Sequence, residues 1–260
     1  MFGFPETYEV ALEELLLLLA EEGVEYTELH VNLALMEAHR HSYEDIFRRL
    51  WRVKEEIRSK RGVDCRFVAD LPWQFSPSLL NPLLREANAF QALGVLGVSL
   101  GGDESLAEPM RFKKALEQCG GLGFTVFCHC GELPGQRTIR DVLDHLPVQR
   151  LIHALSAAES PGLLREIKER GISIDVCLTS NRVLLGVELE DHPWRVFLEH
   201  EIPIAFGSDD PAIFRITPGS ELDLAASQIG DVADLQLLVE ENRGKMALAD
   251  VTSRGRYPRR

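Results

Sequence analysis

The chain has 260 residues, close to half of them apolar, with a formal net charge of -13. That length suits one large α/β domain. The acidic balance excludes nucleic acid or an anionic membrane surface as the main partner. Five cysteines, an odd number without framework spacing, point to a reduced, cytoplasmic protein. The longest apolar stretch, Leu12 to Ala20, is interrupted by Glu13 and Glu14 and has no basic run before it, so it reads as neither membrane span nor leader.

In chain order, leucines and alanines at helical spacing predict a helix from about Tyr8 to Glu22, closed by Gly23. Glu25 to Leu33 alternates, with Leu29, Val31 and Leu33 on one face and Glu28, His30 and Asn32 on the other, which predicts a strand. A charged helix follows over Tyr43 to Arg61, ended by Gly62. A strand at Cys65–Leu71 precedes a helix at Pro77–Leu93, and a strand at Val95–Leu100 runs through Gly101-Gly102-Asp103-Glu104 to a helix at Pro109–Cys119. A strand beginning at Phe124 delivers Cys128-His129-Cys130-Gly131-Glu132 before a helix at Thr138–Leu146. Short strands at Arg150–His153 and Ile172–Leu178 alternate with helices at Pro161–Arg170 and Pro193–His200. The strand from Ile204 ends in Ser208-Asp209-Asp210-Pro211, and helices follow from Pro218 to the Arg243-Gly244 region. Residues 1–250 read as a single α/β domain and 251–260 as a disordered tail.

This alternation predicts a parallel sheet, and polar residues at nearly every strand's carboxyl end favour a (β/α)8 TIM-type barrel over an open doubly wound sheet. No phosphate loop or dinucleotide fingerprint follows the first strand. The pattern supplies seven strands where a barrel needs eight, so the expectation is a barrel lacking its first strand.

Two strand ends carry the chemistry. Asp209 and Asp210 are adjacent carboxylates after an apolar strand. Like charges there are costly to desolvate without a cation, although Asp-Asp-Pro alone is equally a turn signal. His129 and Glu132 at a second strand end turn the pair into a metal and acid/base candidate. Simpler roles fit other residues. His30 reads as structural and His39-Arg40-His41 as a solvated loop. Cys128 and Cys130 flank His129 and so face the core as packing residues. Asp103 and Glu104 divide evenly between a helix-capping pair and a site. The run from Arg48 to Arg61 reads as a solvated helix face.

The set Leu100-Gly101-Gly102-Asp103-Glu104, His129-Cys130-Gly131-Glu132, His153-Ala154, Cys177-Leu178-Thr179-Ser180-Asn181, His192-Pro193 and Ser208-Asp209-Asp210-Pro211 resembles the adenosine deaminase family of metal-dependent amidohydrolases, in the family's own order. The resemblance implies a zinc ion held by His129 and Asp209. It implies acid/base chemistry at Glu132, an attacking hydroxide oriented by His153, and purine contacts from Asp210 and the Gly102 backbone. The implied reaction is hydrolytic deamination of a small-molecule 6-aminopurine nucleoside, of adenosine or aminodeoxyfutalosine type, releasing ammonia. The family's first strand carries a His-x-His pair of metal ligands that the sequence does not show, so the resemblance also implies an incomplete zinc site. The alternative is a truncated or non-catalytic relative. Ile152-His153-Ala154 departs from the glycines that many members place beside this histidine.

Overall fold

The computed structural model describes residues 3–133 and 135–229. The sequence-predicted tail at 251–260 and the end of the last helical stretch lie outside the described residues. Contacts group the described residues into two compact units: 3–103 with 111–126, and 104–110 with 127–229.

The first unit begins with helix α1 (Glu6–Glu21), strand β1 (Tyr26–Asn32), helix α2 (Leu33–Ala38) and helix α3 (Tyr43–Arg61). It continues with β2 (Asp64–Pro72), α4 (Asn81–Arg85), α5 (Ala87–Ala92) and β3 (Val95–Gly101). Strands β1, β2 and β3 pair in parallel, with Asn32 opposite Asp70 and Asp70 opposite Ser99. The α3 bounds follow from their caps. The Ser42 hydroxyl accepts the Asp45 N–H, and Gly62 takes a left-handed φ of 83° past the last turn. Leu12, Leu16 and Leu19 of α1 and Ile46, Phe47 and Leu50 of α3 are buried, and the Phe47 ring meets Phe67 and Phe90.

The sequence-predicted solvated face of α3 holds for Arg48, Arg58 and Lys60, which pair one turn away with Glu44, Glu55 and Glu56. Lys54 departs from it. Its side chain is buried, with the ammonium 3.1 Å from Asp64 and 3.3 Å from Glu55, so the charge is compensated where it is desolvated.

Two further expectations for this unit need correction. Leu33 leaves the strand for α2, because the Asn32 side chain accepts the Leu35 N–H at 3.0 Å and caps a helix there. The single helix at Pro77–Leu93 is broken. A 3₁₀ turn at Pro77–Leu80 leads into α4, and Glu86 departs from helical geometry at φ -130° before α5. Pro82 has no N–H to offer a continuous ladder.

Helix α6 (Pro109–Gly121) and strand β4 (Thr125–Cys130) come next in the chain, and the second unit holds β4 from Phe127 onward. Then follow α7 (Arg137–His145), β5 (Arg150–His153), α8 (Pro161–Glu169), β6 (Ser173–Val176) and α9 (Leu178–Leu185). The unit ends with α10 (Trp194–Glu199), β7 (Ile204–Phe206), α11 (Pro211–Phe214) and α12 (Pro218–Ile229). Strands β4 to β7 pair in parallel in sequence order. Parallel pairing brings their carboxyl ends to one edge, and that edge positions the site. The predicted strand to Leu178 stops at Val176, because Leu178 already opens α9. No helix among the described residues is long and apolar enough to cross a membrane.

Candidate active site

Strand β4 presents His129 between Cys128 and Cys130. Both cysteines are buried on the opposite face of the strand, as alternation requires. The Cys128 hydrogen bond, and then burial, push the Cys130 thiol up. All five cysteines of the chain are free and buried.

Past β4 the chain turns at Gly131, with φ 80°. A Cβ there would come 2.5 Å from Ile139 Cδ1 and 3.0 Å from Ala154 Cα, so only glycine fits between the two loops. The Cys130 and Gly131 carbonyls accept the N–H groups of Ala154 and Ser156, each at 3.0 Å. These bonds tie the loop carrying Glu132 to the end of β5. Register adds to the tie, since Cys130 stands opposite His153.

Glu132 and His153 therefore meet, with Glu132 Oε1 3.8 Å from His153 Nε2. The His129 and His153 rings lie 5.5 Å apart between centroids. Burial raises the Glu132 carboxyl above its ordinary range. His153 opposes that rise, and the charges of Glu104 and Asp209 add to it. The site thus holds a carboxyl with heightened proton affinity beside a buried imidazole.

His153 and Ala154 both adopt left-handed backbone, with φ 69° and 48°. Glycines beside this histidine would reach such angles without the Cβ cost. The Ile152-His153-Ala154 departure is accommodated by strain in the backbone, and the ring stays buried.

Asp209 follows β7 with φ 52°, and Asp210 opens α11, its carbonyl accepting the Ile213 and Phe214 N–H groups. Both aspartates are exposed. The desolvation cost that marks them in the sequence is therefore not incurred here, and the adjacency of Asp209 to the site stands instead on its effect on Glu132. Gly102 belongs to the first unit, one residue past β3, with φ 81° and room for a Cβ closed by Pro72 at 3.0 Å. His30 also lies there, its Nδ1 4.0 Å from Asp70 Oδ1.

The arrangement rests on further residues, among them Glu104, which the sequence offers as either a cap or a site. Glu104, 6% exposed, accepts the N–H groups of Gly131, Glu132 and Leu133 at 2.9, 2.7 and 3.1 Å. The even division between cap and site resolves as a clamp on the Glu132 loop. Glu221 of α12, fully buried, accepts the Thr179 N–H at 3.1 Å and the Thr179 hydroxyl, which holds the first turn of α9. Asn181, on that turn, bridges His153 and His192 at 2.8 Å to each ring. The sequence leaves the supporting contacts of Asn181, His192 and Glu221 unread, because each depends on a partner elsewhere in the chain.

His129 and Asp209 are an imidazole and a carboxylate, the nitrogen and oxygen donors that zinc accepts, so the residues present fit that ion by type.

The adenosine deaminase family profile matches residues 6–254. An aminodeoxyfutalosine deaminase of Acidothermus cellulolyticus is 33% identical over 180 residues, covering 66% of this chain and 51% of that protein. A putative adenosine/adenine deaminase of Streptomyces coelicolor is 34% identical over 194 residues, covering 73% of this chain and 56% of that protein. The chain thus spans about half the length of these curated relatives. Among solved structures, an amidohydrolase from Burkholderia ambifaria with bound zinc superimposes with a TM-score of 0.86 at 23% identity, over 97% of this chain and 71% of that one. That likeness gives the fold, the TIM-type barrel of the amidohydrolases. The strand-end residues and the family match agree: the chain belongs to the adenosine deaminase family.

Proposed function

We propose that this chain carries the catalytic machinery of a zinc-dependent hydrolytic deaminase acting on a 6-aminopurine nucleoside, of adenosine or aminodeoxyfutalosine type. The observation that carries the reading is the Glu132 carboxyl, raised in proton affinity by burial and set 3.8 Å from His153. A carboxyl whose proton affinity is raised in this way is better placed to give a proton to a ring nitrogen.

His129 and Asp209 would hold zinc, which supplies the Lewis acidity that makes water nucleophilic near neutral pH. Glu132 donates its proton to purine N1 and makes the amino-bearing carbon electrophilic. It takes one proton from the attacking water and passes it to the leaving amine, and it takes the second as the new C–O bond becomes a carbonyl, which restores its starting state. One C–O bond forms, one C–N bond breaks, and water is exchanged for ammonia. His153 orients the attacking oxygen. Asp210 holds the purine. A free-base substrate is the second reading, favoured by the relative whose name covers adenosine and adenine.

The test is ammonia release by zinc-supplemented protein from adenosine, aminodeoxyfutalosine and adenine, measured in parallel. Release from a nucleoside in preference to adenine supports the first reading, and the reverse order supports the second. Release from none of the three removes both.

A further inference from the structure

His192 precedes Pro193 at the start of α10, and its ring turns back to satisfy one of the helix's orphan donors. The Trp194 N–H donates to His192 Nδ1 at 3.3 Å. The other ring nitrogen, Nε2, lies 2.8 Å from the Asn181 amide, and the far side of that amide lies 2.8 Å from His153 Nδ1. All three side chains are buried, with exposures of 5% for His192, 1% for Asn181 and 2% for His153. Buried polar groups of this kind must be paired donor to acceptor.

Counting the protons fixes the chain of bonds. A neutral imidazole carries one N–H. Because His192 Nδ1 accepts from Trp194, the ring proton sits on Nε2 and faces Asn181 as a donor. As the structure places the amide, Oδ1 faces His153 and Nδ2 faces His192. That orientation would give His192 two incoming donors and no proton of its own. The oxygen and nitrogen of an amide occupy equivalent positions, so the hydrogen-bond network decides between them. With the amide turned about χ2, Oδ1 accepts from His192 Nε2–H, and Nδ2–H donates to His153 Nδ1.

We propose that Asn181 and His192 are positioning residues that set which nitrogen of His153 carries its proton, fixing Nε2 as the donor toward Glu132. The backbone amide of Trp194 is the origin of the series. Each bond dictates the next, from Trp194 N–H to His192, to Asn181, to His153. Nε2–H then faces the Glu132 carboxylate side, where it can hold an anionic oxygen but cannot accept a proton. The consequence for turnover rests on the deaminase reading; the placement of the proton does not.

Long-range proton–nitrogen correlation spectra of metal-free, nitrogen-15-labelled protein read both rings directly. The expected spectrum shows His153 and His192 each protonated on Nε2. His153 protonated on Nδ1 alone would overturn the proposal, and this arm needs no variant. Asn181→Asp replaces the donating amide end with an acceptor of nearly the same size. In that variant His153 should gain a proton on Nδ1 while His192 keeps Nε2–H. A folded Asn181→Asp protein with His153 Nδ1 still bare would also overturn it. In a zinc-loaded protein that releases ammonia, Asn181→Asp should lower kcat by ~10²-fold or more, as expected for a misplaced imidazole proton, with a much smaller change in KM. A loss confined to KM would contradict a positioning role. No release from any 6-aminopurine, with the expected spectrum, would remove the deaminase reading alone and leave the proton placement supported.

Discussion

The Glu104 carboxylate accepts the backbone N–H of Glu132 at 2.7 Å, so one glutamate fixes the main chain of the other. Flanking bonds from Gly131 and Leu133 make the contact three-pronged. An anionic acceptor taking three consecutive amides gives stronger bonds than a neutral one. The same charge also raises the proton affinity of Glu132. Glu104 thus sets where the Glu132 side chain starts and adds to the rise in proton affinity that burial chiefly causes.

Glu104→Ala strands three amides in a loop that runs from buried Gly131 to exposed Leu133 and should destabilise the fold by on the order of 2 kcal/mol. Glu104→Gln keeps one accepting oxygen but turns an NH2 group toward an N–H. The expected result is faster hydrogen exchange at residues 131–133 in Glu104→Gln, with exchange elsewhere close to wild type. Unchanged exchange at those three amides would contradict the clamp.

His192 supplies a pH signature of stability. Burial lowers its pKa from 6.5 to about 4. A histidine with a depressed folded-state pKa binds fewer protons folded than unfolded between those values. Its contribution is complete above pH 6.5 and is lost as the pH falls toward about 4. The change amounts to on the order of 3 kcal/mol over the window. Urea midpoints of wild type and His192→Gln across this range should show a steeper fall for wild type. Parallel curves would mean that the imidazole is not kept neutral by the fold.

Much of the frame is legible in the sequence. Alternating strands and helices, the caps at Ser42 and Gly62, and the strand ends at His129, His153 and Asp209 all depend on local pattern. Elements decided by one side chain are harder to read. Asn32 looks like a strand residue until it caps α2, and Thr179-Ser180-Asn181 looks like a polar strand end until it turns into α9. The supports are the least legible. Glu104 reaches the loop at 131–133, and Glu221 reaches back to Thr179, so neither role leaves a mark in neighbouring residues. The Asp209-Asp210 pair is singled out by an argument from burial, yet both side chains are exposed. Its position after β7 is the part of that argument that holds.

The two aspartates should fail differently. Asp209 follows the strand end and influences Glu132, whereas the backbone of Asp210 opens α11. Asp209→Ala should purify with less zinc than wild type, and Asp210→Ala should retain zinc but bind the purine more weakly. Metal analysis and ligand titration of both variants check this. Equal zinc loss in the two would contradict the division of roles.

The central claim is that Glu132 moves the proton that makes a 6-aminopurine susceptible to water. Ammonia release by zinc-loaded wild type and Glu132→Gln, compared on the best of the three substrates, tests it most directly. Glutamine keeps the shape and the backbone bonds but cannot exchange a proton. Zinc content and purine binding should stay unchanged while turnover falls by ~10²-fold or more. Near-normal turnover in Glu132→Gln would contradict it.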